Sequence, residues 1–481
     1  MEKTLEIEKV NDFKYLIPKT EGMRVPGILY ISEKLLDKVI SDNAVSQVMN
    51  VAKLRGITGY SLAMPDVHWG YGAPIGGVGA FDAESGVIVP GFVGYDINCG
   101  VRLIRSSLTV EDIKDKLEDI TNLLFTNIPS GVGSTGKLRL KMKELEKVAE
   151  EGAAWAVKNG FGTQGDLDNI EEHGRLKDAD PDAVSNKAFE RGQEQLGTLG
   201  SGNHFLEIQQ VIDVYDESTA GVFGICRGQI TVMVHTGSRG LGYQVCDDYQ
   251  DKFGRVAAEY GLKLPDRQLA CAPASSKEGK RYFRAMNSAA NYAFANRQII
   301  THWVREVFSA VFGTSWEKMQ LSLVYDVTHN ICKVEKHSVE GREKLLYIHR
   351  KGATRAFPKG HPDLPDRYRH TGHPVIIPGT MGTSSYVLVG TDKAMAETWG
   401  STSHGAGRTM SRAQALKESR NRFIDSELAA QGILVKGVSR KGLVEEMPEA
   451  YKNIDEVIRV VEGAGLCRKI ARMVPLAVIK G

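Results

Sequence analysis

The spacing of hydrophobic residues predicts a chain in which helices and strands alternate irregularly. Apolar residues three and four positions apart predict amphipathic helices at 31–50, 109–127, 138–158, 241–261, 283–312, 409–431 and 453–464. Apolar runs rich in β-branched residues predict strands near 86–91, 101–107, 229–235, 320–327 and 386–390. No short repeat is evident, which argues against solenoids and propellers. The pattern is typical of a mixed α/β fold, with a layered, mixed β-sheet core flanked by helices.

Length and composition allow one large core. The chain has 481 residues, of which 42% are hydrophobic and 25% are charged, as is ordinary for globular proteins. No Ser/Pro-rich linker or low-complexity tract divides it, so we predict a single domain over 1–481. Segment 160–200 is polar and rich in Asp and Glu, and we predict that it is a surface excursion.

Charge and hydropathy set limits on partners and location. The formal charge of +2 argues against a strongly basic surface, although a local basic cleft could still bind RNA. The amino-terminal segment MEKTLEIEKVNDFKYLIP is charged throughout and lacks the apolar stretch of a signal peptide. No run approaches the roughly 18 apolar residues that a membrane span needs. We expect a soluble, cytoplasmic protein with no membrane partner.

The six cysteines are scattered, with no CxxC pair, so we expect thiols rather than disulfides. Five of them are expected to be small buried hydrophobic residues. Cys99 is the exception because of its neighbours in DINCG.

Glycine stands beside polar residues at several places in the chain. Gly allows positive φ and close approach of the backbone to a ligand. We therefore predict that the active site is built from Gly-rich loops at strand ends. The loops are MPDVHWGYGAPIGG, GYDINCGVR, LGSGNHFLE, VHTGSRGLG, PGTMGTSSY and STSHGAGR.

Five residues in or next to these loops can bind metal ions. Asp96 and Cys99 precede a predicted strand, and His204 precedes the strand-like segment HFLEI. His235 and His329 each end an apolar strand. Side chains at the ends of neighbouring strands can converge on one point. Thiolate and imidazole ligands favour zinc, whereas five donors also allow a binuclear centre bridged by Cys99 and suited to phosphoryl chemistry.

The nucleotide-binding motifs of common families are absent. The sequence contains no GxxxxGK[ST] and no KxDG, and its one GxGxxG match follows a predicted helix rather than a strand. The motif HGAGR is more informative, because it places His404 among glycines ahead of a helix that carries Arg408 and Arg412. A phosphate could approach such a histidine closely, and imidazole can act as a covalent nucleophile.

Several arginines and two further histidines are also candidates for the site. Arginines in GSRGLG, in HRKGATRAF and after HGAGR predict a phosphate-lined cleft beside the metals. His370 and His373 form an HxxH pattern, but they lie in a segment rich in Pro and Arg and are expected to be solvated.

Taken in order along the chain, these motifs resemble the RtcB family of RNA-splicing ligases. The resemblance runs from VPGILY near residue 25 to the final Lys480 and Gly481. Thr380 stands where a Ser is expected, and it keeps the hydroxyl. The motifs that carry the resemblance are MPDVHWGYGAPIGG, DINCGVR, GSGNHFLE, VHTGSRGLG, DVTHN, HRKGATRA, PGTMGT and HGAGR.

The resemblance implies two Mn²⁺ ions, GTP as cofactor, and RNA as substrate. One Mn²⁺ would be held by Cys99, His235 and His329. The other would be held by Asp96, Cys99 and His204. The family thus favours manganese where ligand type alone favours zinc.

The resemblance also implies the roles of further residues. His404 would attack the α-phosphate of GTP and carry GMP, while Asp66 would orient its imidazole. The residues expected around GTP are Asn203, His204, Phe205, Leu206, Glu207, His329, Asn330, Pro378, Gly379, Thr380, Met381, Ser385, His404, Gly405, Ala406, Gly407, Tyr451 and Lys480. Those expected to contact RNA are Arg191, Arg239, Lys351, Arg408 and Arg412.

The implied reaction joins an RNA 2′,3′-cyclic phosphate or 3′-phosphate end to a 5′-hydroxyl end, in tRNA splicing and RNA repair. Archease is a candidate helper, and we expect a monomer. Two alternatives remain open at this point. One is a metal-dependent phosphoesterase that acts on terminal or cyclic phosphates of RNA. The other is an RNA-binding accessory protein with a structural metal.

Overall fold

The protein is described by a computed structural model that covers residues 7–420 and 422–481. Nineteen strands lie within these residues. They are β1 (Glu8–Asn11), β2 (Lys14–Ile17), β3 (Gly27–Tyr30), β4 (Ile57–His68), β5 (Ile75–Asp82), β6 (Val87–Ile88), β7 (Gly100–Thr109), β8 (Phe205–Val214), β9 (Gln229–Thr236), β10 (Ala272–Pro273), β11 (Ser322–Thr328), β12 (Asn330–Val339), β13 (Arg342–Lys351), β14 (Ala353–Arg355), β15 (Pro374–Ile377), β16 (Ser385–Gly390), β17 (Ser401–Ser403), β18 (Leu434–Gly437) and β19 (Cys467–Lys480).

Sixteen α-helices lie within the same residues. They are α1 (Glu33–Ser41), α2 (Ala44–Val51), α3 (Val110–Ile113), α4 (Leu117–Asn127), α5 (Met142–Glu151), α6 (Ala153–Lys158), α7 (Gln164–Leu167), α8 (Asn186–Gly192), α9 (Glu217–Phe223), α10 (Arg239–Glu259), α11 (Lys277–Phe312), α12 (Asp392–Thr398), α13 (Arg412–Glu418), α14 (Ile424–Ala429), α15 (Arg440–Glu445) and α16 (Ile454–Gly463).

Two large sheets contain most of the strands. The first has the order β1-β2-β3-β4-β5-β13-β12. The second has the order β11-β7-β9-β8-β19-β16-β15, and β18 joins it by pairing with β19. Parallel pairs (β3 with β4, β18 with β19) occur among antiparallel ones. The mixed α/β architecture predicted from the sequence is confirmed.

The order of strands in the second sheet brings four strand ends together. Strand β7 runs antiparallel to both β9 and β11, and β9 runs antiparallel to β8. Gly100 at the start of β7 therefore pairs with Thr236 at the end of β9 and with Thr328 at the end of β11. Phe205 at the start of β8 pairs with His235. The loops at these four ends lie at one edge of the sheet.

The longest helix, α11, lies under this sheet and is buried along most of its length. The side chain of Ser276 caps its first turn by accepting the backbone N–H of Gly279 at 3.0 Å, and it ends at Gly313 in the left-handed conformation. It packs against α4, α5, α6 and α10. Within the described residues, no helix is both long and apolar enough to cross a membrane.

Segment 160–200 is not a surface excursion. Leu167, Ile170 and Leu199 pack in the hydrophobic core between α11 and the second sheet, and Phe189 and Leu196 pack in a second core cluster beside α10. The prediction was wrong because the apolar residues that enter the core are separated from one another by many polar residues. The segment as a whole therefore looks polar in the sequence.

Two smaller expectations also fail. Cys226 is exposed, whereas the other five cysteines are buried thiols. His373 was expected in a solvated loop, but it is only 2% exposed because it directly precedes the buried strand β15.

Candidate active site

Five side chains that can hold metal ions meet at the edge where the four strand ends converge. The Cys99 Sγ atom lies 3.4 Å from His204 Nε2 and 3.2 Å from His235 Nε2. A carboxylate oxygen of Asp96 lies 2.8 Å from His204 Nε2. They form two triads that share Cys99, with the ligand atoms of each triad within 4.8 Å of one another: Cys99, His235 and His329, and Asp96, Cys99 and His204. We call these five residues the donor cluster.

The chemistry of the donor cluster fits bound cations. Burial holds the pKa of His235 and of His329 well below the usual range, so both rings are neutral and keep a lone pair. Their Nε2 atoms are 3.1 Å apart, and their Nδ1 atoms are buried without a hydrogen-bond partner among the described residues. Burial and the nearby Asp96 raise the pKa of Cys99, a penalty that a metal ion removes by stabilising the thiolate.

An arginine from α11 fixes the backbone on both sides of the donor cluster. The Arg297 guanidinium donates to the carbonyl of Asn98 at 2.8 Å and to the carbonyl of Thr236 at 2.9 Å. Its charge is paired with Asp326, which lies in β11 and also binds Arg102. All of these side chains are buried. Arg297 therefore ties together the residues that precede Cys99 and follow His235.

His404 lies directly beside the donor cluster, with its ring centroid 4.8 Å from that of His329. Its Nδ1 atom is 2.6 Å from Asp66 Oδ2, and the same oxygen accepts the backbone N–H of His404 at 3.0 Å. Burial tends to raise the pKa of Asp66, but the contact with His404 outweighs it and lowers that pKa. Asp66 is therefore an anion that fixes Nδ1, and the other ring nitrogen, Nε2, has no hydrogen-bond partner among the described residues.

A glycine allows the HGAGR loop to pass against Asp66. Gly407 has φ of +75°, and a Cβ atom added there would lie 2.1 Å from the Asp66 carbonyl oxygen. Only glycine permits this approach. The motif thus fixes the position of His404 relative to its carboxylate partner.

A cavity of about 600 Å³ opens beside His404. Of the residues expected around GTP, those that line it are Asn203, Phe205, Pro378, Gly379, Thr380, Met381, His404, Gly405, Ala406, Gly407, Tyr451 and Lys480. Leu206 does not reach it, because alternation along β8 turns its side chain into the hydrophobic core on the opposite face. Asn330 is occupied with backbone, accepting the N–H of Gly352 and donating to the carbonyl of Asp96.

Buried polar groups lie around Lys480, at the buried end of this cavity. Gln209 donates to Glu207 at 2.7 Å and to Ser385 at 3.1 Å, and all three side chains are buried. Burial raises the pKa of Glu207 to about 8 and lowers that of Lys480. The nearest carboxylate to the Lys480 ammonium is Glu446, at 3.9 Å. This end therefore offers one cation and one carboxyl group with unfilled hydrogen-bonding capacity.

Comparisons with known proteins identify the family of this chain. The sequence model of a family described as tRNA-splicing ligase RtcB matches residues 47–481. The chain belongs to the RtcB family. It is similar to tRNA-splicing ligase RtcB of Archaeoglobus fulgidus, with 54% identity over 477 residues that cover 99% of each chain. The protein of the same name from Thermococcus kodakarensis is 52% identical over 482 residues that cover 100% of each chain.

The basic residues expected from the RtcB resemblance fall into different environments. Arg408 and Arg412 line the cavity and share the carboxylate of Glu446, at 3.1 and 3.4 Å. Arg239 is half-buried beside His204, where it donates to Thr198 at 3.1 Å. Arg191 is exposed, with its guanidinium over the ring of Tyr243.

The motif HRKGATRA does not form a phosphate-lined cleft. Lys351 is only 5% exposed and donates to the carbonyls of Tyr71 and Gly91, which leaves it away from the surface that RNA can reach. Arg350 and Arg355 are also buried. They belong to a group of three bases and three acids that we call the ion cluster: Glu171, Glu172, Lys333, Glu335, Arg350 and Arg355.

Two buried cations beside the site, Arg297 and Lys452, lie outside the sequence motifs. Arg297 could have been noticed, because it is a charged residue within the apolar helical segment NYAFANRQII. Lys452 is buried and donates to the carbonyls of Pro65 and Val67, on either side of Asp66. No sequence signal marks Lys452, since it follows a short turn and has no glycine neighbours.

Proposed function

We propose that the protein is a GTP-dependent RNA ligase that works through a GMP–histidine intermediate on His404. It would join an RNA 2′,3′-cyclic phosphate or 3′-phosphate end to a 5′-hydroxyl end, as in tRNA splicing and RNA repair. The proposal agrees with the description of the RtcB family and of its archaeal relatives as tRNA-splicing ligases.

The observation that carries the proposal is the position of His404. Its imidazole lies between Asp66 and the donor cluster, and it lines the cavity that ends at Lys480. Asp66 accepts a hydrogen bond from the protonated Nδ1 of His404, so the lone pair on Nε2 is available to attack phosphorus. A phosphoesterase that uses the same metals would not require a histidine held in this way.

The donor cluster would hold two Mn²⁺ ions, one at each triad. When bound, such ions polarise phosphoryl oxygens and neutralise the charge of a leaving group. Cys99 would contribute to both sites, which explains why a thiol lies between three imidazoles. His404 itself is left out of either triad and remains free to act as the nucleophile.

The inner end of the cavity would recognise guanine. Lys480 would donate to the O6 acceptor, and the carbonyl oxygen of the neutral Glu207 carboxyl group would accept an N–H on the adjacent edge. Phe205 lies beneath the Lys480 ammonium, with 5.6 Å between Nζ and the ring centroid. Adenine presents an amino donor where guanine has O6, so it would leave Lys480 unpaired.

The chemical steps balance with GTP and RNA alone. The Nε2 lone pair of His404 attacks the α-phosphate, forming a P–N bond as pyrophosphate leaves. An oxygen of the RNA 3′-phosphate then attacks that phosphorus, which breaks the P–N bond. The product is an RNA whose 3′ end is joined to the 5′-phosphate of GMP through a pyrophosphate linkage. The 5′-hydroxyl attacks the RNA phosphate, loses its proton and expels GMP. A cyclic phosphate is first opened by water to the 3′-phosphate.

Mass spectrometry of the intact protein after incubation with GTP and Mn²⁺ tests the proposal. We expect the mass of one GMP to be added, with loss of the adduct in acid. His404→Ala should abolish both the adduct and the joining of cyclic-phosphate ends. His370→Ala, which changes an exposed histidine, should behave as wild type. A hydrolase would open the cyclic phosphate but would form no adduct, and that result would overturn the proposal.

A further inference from the structure

Trp69 differs from every other tryptophan in the protein. Of the five, it alone is exposed, with 55% of its surface accessible, whereas the others are buried or half-buried. Leaving a large aromatic side chain in water is energetically unfavourable. An exposed tryptophan therefore indicates a contact with a molecule other than the folded chain itself. Its surroundings indicate what that contact is.

The backbone around Trp69 is held rigidly. The buried Gln47 side chain donates to the carbonyl of Gly70 at 2.5 Å and accepts its N–H at 2.9 Å. Gln268 accepts the N–H of Gly72 at 2.7 Å, and Lys452 donates to the carbonyl of Val67. The loop is therefore fixed on both sides of a residue whose side chain lies in solvent. Such an arrangement presents the indole in one place and reduces the entropy lost on binding.

Trp69 lines the same cavity as His404. The cavity wall is graded, because Lys480 and Phe205 are 4% exposed at one end, whereas Trp69 is 55% exposed at the other. Lys38 also lines it near Trp69. The buried end matches the guanine site proposed above. The open end combines one aromatic ring with one cation, Lys38, and one anion, Asp42, which accepts the backbone N–H of Trp69.

We infer that Trp69 stacks on a nucleobase at a broken RNA end and so places that end beside His404. The inference rests on the proposed function and adds the part of the RNA that the open end of the cavity holds. Every base has a face that can stack on an indole, so this contact tolerates any sequence, as a repair enzyme requires. Lys38 would contact an adjoining phosphate.

Binding of RNA in the absence of GTP tests the inference without turnover. Fluorescence anisotropy would measure four labelled oligonucleotides: one with a 3′-phosphate end, one with a 5′-hydroxyl end, and each of these with an abasic terminal nucleotide. Trp69→Ala should weaken binding of an intact oligonucleotide about 5- to 100-fold. Its effect on the matching abasic oligonucleotide should be much smaller. The end that shows this difference is the one that stacks.

Two variants control for trivial effects. Trp69→Phe keeps an aromatic face and should retain most of the affinity. Tyr260→Ala removes another exposed aromatic residue, which follows α10 and does not line the cavity, and it should bind RNA as wild type. GMP attachment to His404 needs no RNA, so Trp69→Ala should form the adduct at the same GTP concentration as wild type, which also reports that it is folded.

The inference is overturned if Trp69→Ala weakens intact and abasic oligonucleotides equally, or weakens neither. It is also overturned if the variant needs more GTP, since the indole would then contact the nucleotide instead. Failure of the proposed function gives a different result, in which the wild-type protein itself forms no GMP adduct and joins no ends.

Discussion

The donor cluster and the ion cluster are both buried and polar, yet their groups are satisfied in opposite ways. In the ion cluster, Arg350 forms a two-point ion pair with Glu335 at 2.7 and 2.9 Å, and Lys333 lies 2.5 Å from Glu171. In the donor cluster, the neutral imidazoles of His235 and His329 face one another beside the Cys99 thiol, and neither has an ion-pair partner among the described residues.

This difference separates structural charge from functional charge. A buried ion pair that is complete within the chain needs no ligand, and removing one partner leaves an uncompensated charge. A buried set of lone pairs without hydrogen-bond donors is stabilised only when a cation binds to it. The ion cluster should therefore control stability, and the donor cluster should control metal binding and activity.

The largest expected effect comes from Cys99→Ser, because the thiol belongs to both triads. Loss of residues that merely support a ligand costs about 10- to 100-fold in metal affinity or activity, and loss of a shared ligand should cost at least about 100-fold. Metal analysis and the GMP-adduct assay measure this. The metal-free protein should unfold at the same denaturant concentration as metal-free wild type.

Cys246→Ser is the matched control, since Cys246 is equally buried but lies outside the donor cluster. It should keep its metal. If Cys99→Ser kept full metal content and activity, the donor cluster would not control metal binding and activity.

Arg350→Met should show the reverse behaviour. Removing one partner of a buried ion pair costs about 3–5 kcal/mol, so the free energy of unfolding should fall by that amount. Metal content should stay near that of wild type in the fraction that folds. Denaturant titration followed by circular dichroism gives the free energy of unfolding.

Lys336→Met is the control for this change, because Lys336 pairs with Glu343 at 3.3 Å on the surface, where both side chains are about 70% exposed. Its unfolding curve should overlay that of wild type. A stable Arg350→Met protein would mean that the ion cluster is dispensable to the fold.

The two clusters also explain which parts of the site could be predicted from the sequence. Each donor follows or precedes a strand and has a local signal, either glycine neighbours or the end of an apolar run. The antiparallel order of β8, β9, β7 and β11 then brings the donors together, as we expected from strand ends alone.

Two of the errors share a physical cause, which is pairing between residues that lie far apart in the sequence. Arg350 and Arg355 were interpreted as cleft residues, and segment 160–200 as a surface excursion, because both are polar. Arg355 in fact lies 3.5 Å from Glu171, far away in the sequence, and both side chains are buried. A single sequence contains no local signal for such partners. Strand β5 was missed for a different reason, since the glycines in IGGVGAFD weaken the strand signal.

Lys480 lies between the two extremes and sharpens the comparison. It is buried, but its nearest carboxylate is 3.9 Å away, so its charge is only partly compensated. If guanine completes its hydrogen bonding, Lys480→Ala should raise the GTP concentration needed for the adduct on the order of 10- to 100-fold. The preference for GTP over ATP should narrow.

Lys469→Ala changes an ordinary lysine on the same strand, paired with Glu462 at 3.0 Å, and should alter neither quantity. Unchanged nucleotide preference in Lys480→Ala would assign Lys480 to stability rather than to recognition. A tag placed directly after Gly481 should impair activity more than one placed before Met1.

The smallest expected effect is a change in how stability depends on pH. Burial tends to raise the pKa of Glu171, but Lys333 and Arg355 outweigh it and lower that pKa from 4.5 to about 2. A group whose pKa is lower in the folded state contributes stability above its unfolded pKa and loses it as pH falls through the folded value. The contribution of Glu171 should therefore be complete above about pH 4.5 and should disappear towards pH 2.

Glu171→Gln removes this titration while keeping an oxygen that can accept the N–H of Thr328, which Glu171 binds at 2.9 Å. The difference in unfolding free energy between wild type and Glu171→Gln should thus be largest at neutral pH and shrink between pH 4.5 and 2. Urea titrations at several pH values measure it, with the exposed Glu111→Gln as control. A difference that stayed constant across this range would mean that folding leaves the pKa of Glu171 unchanged, and Lys333 and Arg355 would then not stabilise its carboxylate.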